Sequence, residues 1–254
     1  MRGEALFRFI RRAGLPVVLV LLWHGVYVAN WANPLFVPAP HAVFKALITV
    51  IRTGELFHHA LDTLLRMLAG FGIATAIGIP IGLILGRFRR AYVFSEFMID
   101  FTRSIPATAV FPLFMLVFGV GSQSKIAIIA FSCFFVILIN SIYGVWNAPR
   151  TRILMGRTFR ASQLQIFTKI ILFDALPQIF AGLRNAVSIA FILAIVTEMF
   201  IGTNSGLGFL IFNAKISYDT PKMYAVIIIL GVLGYSVNKC LLLIENRSIH
   251  WSRT

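Results

Sequence analysis

Apolar positions along this chain come in long, nearly unbroken runs rather than in the short alternations of a soluble fold. Six such runs stand out, at about 15–31, 67–86, 105–121, 126–146, 179–202 and 223–244. A helix needs about 20 apolar residues to cross the hydrocarbon core of a bilayer. The pattern therefore predicts an all-α integral membrane protein, one transmembrane domain over 1–254 with six crossing helices. Composition agrees: 59% of residues are hydrophobic and 13% charged, against about 25% charged in soluble domains, and the mean hydropathy is +0.87. A water-soluble chain of this composition would lack a polar surface.

The runs between these spans set the orientation. With the N-terminus inside, the inner side holds Arg2, Arg8, Arg11, Arg12, Arg87, Arg89, Arg90, Arg150, Arg152, Arg157, Arg160, Lys169, Arg247 and Arg253. The outer side holds Lys45, Arg52, Lys125, Lys215 and Lys222. The excess favours both ends inside. It also accounts for the net charge of +14, because the basic residues sit in short loops beside apolar spans, so nucleic acid is not an expected partner. The first run, preceded by Arg8, Arg11 and Arg12, is read as an uncleaved anchor, since no clean small-x-small cleavage pattern follows it.

The segments outside the spans carry further structure. After Pro34, Pro38 and Pro40, residues 41–51 alternate in a helical period with Val43, Leu47 and Val50 on one side, which predicts an interfacial helix on the outer surface. In the second span Gly70, Ala74, Gly78, Gly82 and Gly86 recur every four residues, a face that lets another helix approach closely, and Pro80 predicts a kink. Residues 207–212 are apolar but too short to span, and are expected to dip back at the membrane surface or a pore mouth. The inner loop 147–169 mixes Arg150, Arg152, Arg157, Arg160 and Lys169 with Leu154, Phe159, Leu164 and Phe167. It is read either as a surface helix held by basic residues or as a docking site for a cytoplasmic partner.

Charges inside the apolar runs are expensive and need partners. Asp62 and Arg66, four apart, and Asp100 and Arg103, three apart, are expected to form structural ion pairs. Arg184 and Glu198 share a face of the fifth span but lie too far apart to touch, and Glu198 faces either a pore or a packing neighbour. His58 and His59 are too few for a metal site, and Cys133 and Cys240 have no metal or redox spacing and are read as small buried side chains. No GxxxxGK[ST] phosphate loop is present, so no cofactor is expected in this chain and it is not expected to hydrolyse ATP itself.

Four stretches together carry a family resemblance: LFVPAPHAVFKAL (35–47), LLRMLAGFGIATAIGIPIGLILGRFRR (64–90), DFTRSIPATAVFPLFMLVFGVG (100–121) and TEMFIGTNSGLGFLIFNA (197–214). The chain resembles the permease subunits of binding-protein-dependent ABC importers, in the nitrate, sulfonate, taurine and bicarbonate group, with a type I importer permease fold. The resemblance implies a second permease subunit, alike or different, two cytoplasmic ATPase subunits that bind ATP and Mg, a periplasmic substrate-binding protein, and a place in the bacterial inner membrane. It implies a transport subunit rather than an enzyme, moving a small solute such as a sulfonate, nitrate or bicarbonate. It also implies a coupling helix in the inner loop that fits a groove on the ATPase.

The family's loop signature begins Glu-Ala-Ala, continues to a glycine four positions later, and ends Ile-x-Leu-Pro. Here those positions read Leu154, Met155 and Gly156, then Arg160, then 170–173 as Ile-Ile-Leu-Phe, while Arg157-Thr158-Phe159, Ala161-Ser162 and Leu176-Pro177 keep the pattern. Glycine tolerates backbone geometry that arginine does not, so a different turn is expected at Arg160. The coupling residues expected from the resemblance are Met155, Gly156, Arg157, Phe159, Arg160, Ala161, Ser162 and Phe167. Candidates for lining a path along the subunit interface are Arg103, Ser104, Asn140 and Glu198. On the residues alone, an ion-gradient-driven secondary transporter or channel, and a non-transporting scaffold, remain open; no convincing inverted repeat with paired broken helices is visible.

Overall fold

A computed structural model describes the backbone of residues 2–249 and the side chains of residues 14–249; Arg2, Arg8, Arg11, Arg12 and Arg253 fall outside the described side chains. Among the described residues every regular element is helical: α1 (Arg2–Val28), α2 (Pro40–Arg52), α3 (Glu55–Arg87), α4 (Arg89–Arg103), α5 (Phe111–Phe118), α6 (Ser122–Trp146), α7 (Arg150–Thr158), α8 (Gln163–Ile166), α9 (Leu172–Phe200), α10 (Leu207–Ile216) and α11 (Thr220–Ser248). A 3₁₀ turn (Ala107–Val110) leads into α5, and a π-helical turn (Phe167–Ile171) joins α8 to α9.

Four continuous helices are long and apolar enough to cross a bilayer: Glu55–Arg87, Ser122–Trp146, Gln163–Phe200 and Thr220–Ser248. A fifth crossing is not the straight span expected over 105–121. It is a pair of helical segments, Arg89–Arg103 and Ala107–Phe118, bent by 84° at Ser104–Pro106, where Pro106 has no N–H to continue a helical ladder. The shorter apolar stretch Gly14–Val28 belongs to α1.

The directions of these helices follow from which residues meet. A Cβ added at Gly70, Gly78, Gly82 or Gly86 would fall 2.7, 3.3, 2.5 or 2.7 Å from the Cβ of Ile129, Ile137, Ser141 or Val145. Each pair is the same 59 residues apart, from 70 with 129 to 86 with 145, so α3 and α6 run parallel in backbone contact. The small face expected of the second span is thus the α3–α6 seam, closed by van der Waals packing that lipid cannot match in density. Two parallel spans need a return crossing between them, and the bent α4–α5 pair is the chain that lies there. Helix α9 packs antiparallel on α6: Gly144 meets Ala175, Gly182 meets Asn140, and the Cys133 thiol donates to the Ala186 carbonyl at 3.3 Å. Helix α11 is antiparallel to α9, with Phe191 against Gly234, Ser188 bonded to Asn238 at 3.1 Å, and Arg184 paired with Glu245.

The core lies where α3, α6 and α9 meet, around Met67, Ala74, Ile129, Cys133, Ile137, Ala186 and Ala190. The helix expected after Pro40 is α2, and it buries Val43 and Val50 and packs against α11, while one cysteine expectation changes. Cys240 is exposed on α11, whereas Cys133 is buried as expected. Pro80 sits inside α3, which remains one helix from Glu55 to Arg87. At one end of the bundle Trp23 of α1 donates to the Pro38 carbonyl at 3.0 Å and stacks on Tyr224 of α11. At the opposite end, called the basic end below, Trp146 donates to the Gly86 carbonyl at 3.1 Å and carries the Arg89 guanidinium over its ring.

Candidate functional site

Three regions hold the candidate residues, and they lie apart. The first is the basic end. Here α7 stops in a Schellman turn: the Ala161 N–H donates to the Gly156 carbonyl at 3.0 Å and the Arg160 N–H to the Arg157 carbonyl at 2.9 Å. That turn needs a left-handed residue, and Arg160 supplies it with φ +55°. The expectation of a different turn is therefore corrected. Six backbone residues close the same loop that glycine favours, and the arginine carries a strain of about 1 kcal/mol. Directly after it, Ser162 caps α8 in a capping box with Gln165, so Ala161-Ser162 marks a helix start.

This double turn leaves apolar side chains facing out. Met155 is 60% exposed and Phe159 81%, with Leu154 and Leu164 also exposed, among exposed Arg157 and Arg160. Gly156 is buried, and a Cβ there would lie 2.8 Å from Ile170 Cδ1, so α7 sits tightly on the π turn. Phe167 is half-buried in that turn, and Ala161 is half-buried beside it. Arg87 at the end of α3 reaches Gln163 at 3.3 Å. Of the eight coupling candidates, Met155, Arg157, Phe159 and Arg160 present side chains outward; Ser162 shapes the turn by its capping bond, and Gly156 seats α7 against Ile166 and Ile170.

The second region is the break in the α4–α5 pair. Arg103 and Ser104 are both exposed there and line a cavity of about 370 Å³ walled by Phe131, Phe135, Val136 and Ile139 of α6. Arg103 pairs with Asp100 at 2.8 Å, as its spacing predicts. Ser104 donates to the Asp100 carbonyl at 2.7 Å. Asn140 stands one turn along α6 from Val136, half-buried, donating to the Val136 carbonyl at 2.8 Å and accepting from Gln178 at 2.9 Å.

The third region holds Glu198, left open above between a pore and a packing neighbour, in a packed position. It is 2% exposed, so it faces neither solvent nor an open path in this conformation. Arg66 Nη1 donates to its Oε1 at 2.7 Å, the Thr63 hydroxyl lies 2.8 Å from its Oε2, and the Gly208 N–H donates to the same oxygen at 3.0 Å. Arg66 spends its remaining donors on the Ser205 carbonyl and hydroxyl and on Ser122, at 3.0, 2.9 and 3.1 Å. Asp62, its expected partner, forms a longer ion pair with it at 3.9 Å. Lys125, 0% exposed, closes the knot by donating to the Gly121 and Gly202 carbonyls at 3.3 Å each.

The Gly-Leu-Gly sequence after Glu198 now has a physical reason. Gly206 has φ +120° and a Cβ there would sit 2.2 Å from Glu198 Cδ, while one at Gly208 would sit 2.3 Å from the Ile195 carbonyl oxygen. The Gly206 N–H donates to His59 Nδ1 at 2.9 Å, which gives that histidine a structural partner. Sequence spacing could not reveal this knot, since Thr63 and Arg66 lie more than 130 residues from Glu198. The one local signal was the glutamate followed by the glycine pair.

The sequence profile of the binding-protein-dependent transport system inner membrane component matches residues 78–249. A putative ABC transporter permease protein of Methanocaldococcus jannaschii is 32% identical over 96% of this chain and 92% of its own length. The putative aliphatic sulfonates transport permease protein SsuC of Escherichia coli is 32% identical over 94% of this chain and 90% of its own. The taurine transport system permease protein TauC of the same organism is 27% identical over 94% and 88%. Among solved structures, an inward-facing form of the MetNI methionine ABC transporter superposes with a TM-score of 0.68 at 20% identity, covering 78% of this chain and 97% of that one, a likeness of fold.

Proposed function

From the premise that this chain belongs to the inner-membrane component family of binding-protein-dependent transport systems, and is an ABC importer permease subunit, we propose that it moves a small organic sulfonate inward, driven by ATP hydrolysed on a separate subunit. The observation that carries the coupling half of this reading is the outward apolar face of α7 and α8. Met155, Phe159 and Leu164 are exposed at the basic end, alongside exposed Arg157 and Arg160. Exposed apolar groups rimmed by charge mark a partner surface. The positive-inside count puts that end in the cytoplasm, where an ATPase subunit would dock.

The mechanism follows from rigid connection. Gly156 seats α7 against Ile166 and Ile170, and α8 runs through the π turn into α9 without a break. A push on α7 is therefore delivered to α9, and through the α6–α9 contact to α6. Helix α6 walls the cavity at Arg103 and Ser104. Closing of an ATPase dimer would thus tilt the helices that border the path, while the Glu198 knot clamps the far ends of α3, α6 and α9 together. A second permease subunit and a periplasmic binding protein complete this reading, and the cavity at Arg103 and Ser104 is the proposed path surface. Sulfonate is favoured over nitrate or bicarbonate by the sulfonate and taurine names of the relatives.

The test is uptake of radiolabelled ethanesulfonate and taurine by proteoliposomes holding the assembled complex, with binding protein outside and ATP inside. ATP-dependent uptake is expected, with loss of at least tenfold in the Met155→Asp/Phe159→Asp double variant. Uptake that survives without ATP and collapses with an uncoupler would favour a gradient-driven carrier instead.

A further inference from the structure

Arg103 stands in the wall of two cavities at the end of α4. In the cavity of about 370 Å³ it is the one charged lining residue among those described, opposite apolar walls from Phe131, Phe135, Val136 and Ile139. A second cavity, of about 260 Å³, also has Arg103 in its wall, now together with Asp100, Tyr92 and Tyr143. The Arg103 and Asp100 side chains are 51% and 55% exposed, so a solute can reach both. A guanidinium carries five N–H donors. Among the described residues Arg103 gives one hydrogen bond, from Nε to Asp100 Oδ1 at 2.8 Å. Its two NH2 groups, the fork that grips paired oxygens, are left without an acceptor among those residues. The bond at Nε fixes the opposite edge of the same plane and so orients the fork. The neighbouring Thr102 and Ser104 hydroxyls already donate to the Met98 and Asp100 carbonyls at 2.7 Å each, so the donors these neighbours could offer are in use.

We infer that Arg103 is a specificity-determining residue of the permease: its fork holds the anionic head of the passing solute in the larger cavity, with the solute's carbon tail on the α6 wall. The inference rests on the import reading above, which supplies the sulfonate head, and names the residue that selects it. Charge sets the class. One guanidinium beside one carboxylate suits a single negative charge, whereas a dianion such as sulfate would keep a charge uncompensated near Asp100. Two oxygens of a sulfonate match the fork. An anion without a tail would leave Phe131, Phe135, Val136 and Ile139 uncovered, and each CH2 laid on them strengthens binding. Asp100 lines the second cavity and not the first, which favours the first for the head. A grip by one cation also suits a site of passage, since a solute must leave as readily as it enters.

The test uses the complex with its ATPase in lipid nanodiscs, where reagents reach both faces. Ser104→Cys puts a thiol beside Arg103, with exposed Cys240 changed to serine, and the same complex with native Ser104 corrects for reaction elsewhere. Two methanethiosulfonates are compared, one ending in an ethylsulfonate and one in a neutral hydroxyethyl group. In both the thiolate attacks the divalent sulfur, forms a mixed disulfide and expels methanesulfinate, so the ratio of the two rates cancels thiol reactivity and reports attraction for the sulfonate. That ratio should be about tenfold higher beside native Arg103 than in Arg103→Gln, with Arg103→Lys, a point charge without the fork, between them. Ethanesulfonate should protect the thiol from the neutral reagent about fivefold beside native Arg103, and sulfate at equal ionic strength by less than about twofold. Should Arg103→Gln fail to assemble, the protection experiment, which keeps native Arg103, decides alone. Equal ratios in the three complexes, equal protection by sulfate, or a thiol closed to the neutral reagent overturns the Arg103 site. If ATP-dependent uptake of ethanesulfonate persists in the native complex beside any of those results, the import reading stands without it. An Arg103-dependent preference in a complex with no such uptake removes the import reading and leaves the anion site.

Discussion

Replacing Glu198 by alanine is the sharpest perturbation the fold offers. The change strands Arg66, which is buried and gives its shortest bond, 2.7 Å, to that carboxylate. Removing one member of a buried ion pair costs about 3–5 kcal/mol, because the other charge stays in a poor solvent. At about 2–4 °C per kcal/mol for a chain of this size, the apparent Tm should fall by about 6–20 °C. Glu198→Gln keeps the shape and an acceptor, losing only the charge, and should fall by about 2–8 °C, since a charge-assisted hydrogen bond exceeds a neutral one by about 1–2 kcal/mol. Removing both charges in Arg66→Met/Glu198→Met should be milder than the two single losses combined by at least about 1 kcal/mol. Cys133, buried in the α6 core, makes the assay direct. A thiol-reactive fluorogenic dye reports its unmasking on heating, with exposed Cys240 changed to serine in every sample. A Glu198→Ala protein that melts within about 1 °C of its parent, or a double variant no milder than the sum, would refute the claim that this ion pair holds the outer ends together.

Two further outcomes follow from the packing. Gly82→Leu should abolish stable, dispersed protein in detergent, because even a Cβ there falls 2.5 Å from Ser141, whereas Gly72→Leu, with nothing within 4 Å of its Cβ, should behave as wild type by size-exclusion chromatography. Arg160→Gly should raise the apparent Tm by about 2–4 °C, since it removes about 1 kcal/mol of left-handed strain, while ATPase co-purification weakens, because the same change takes one arginine from the proposed docking face.

The spans were legible in the sequence because hydrocarbon imposes a simple demand, an apolar run of sufficient length. The α3–α6 seam was legible for a similar reason: a residue type recurring every four positions is a face whatever it packs against. What stayed hidden depended on distant parts of the chain. Residues 89–103 fell between the expected spans, since Arg89, Arg90, Glu96, Asp100 and Arg103 interrupt any apolar run there, yet they form a helix. Glu198 stayed open between a pore and a packing neighbour because a lone carboxylate in an apolar span needs a partner; that partner, Arg66, lies in another span. Arg160 read as incompatible with the turn, but capping bonds on both sides of it outweigh about 1 kcal/mol of local strain.

The π turn at Phe167–Ile171 has an angular consequence. A π turn holds one residue more than an α turn, so it acts as a single inserted position inside the rod from Gln163 to Phe200. Each residue advances a helix by about 100°, and the insertion therefore rotates everything before it relative to α9. A chain with one residue fewer or more here would turn a different side of α7 and α8 outward, so the facing of that end of the rod is written in the length of this segment as well as in its letters.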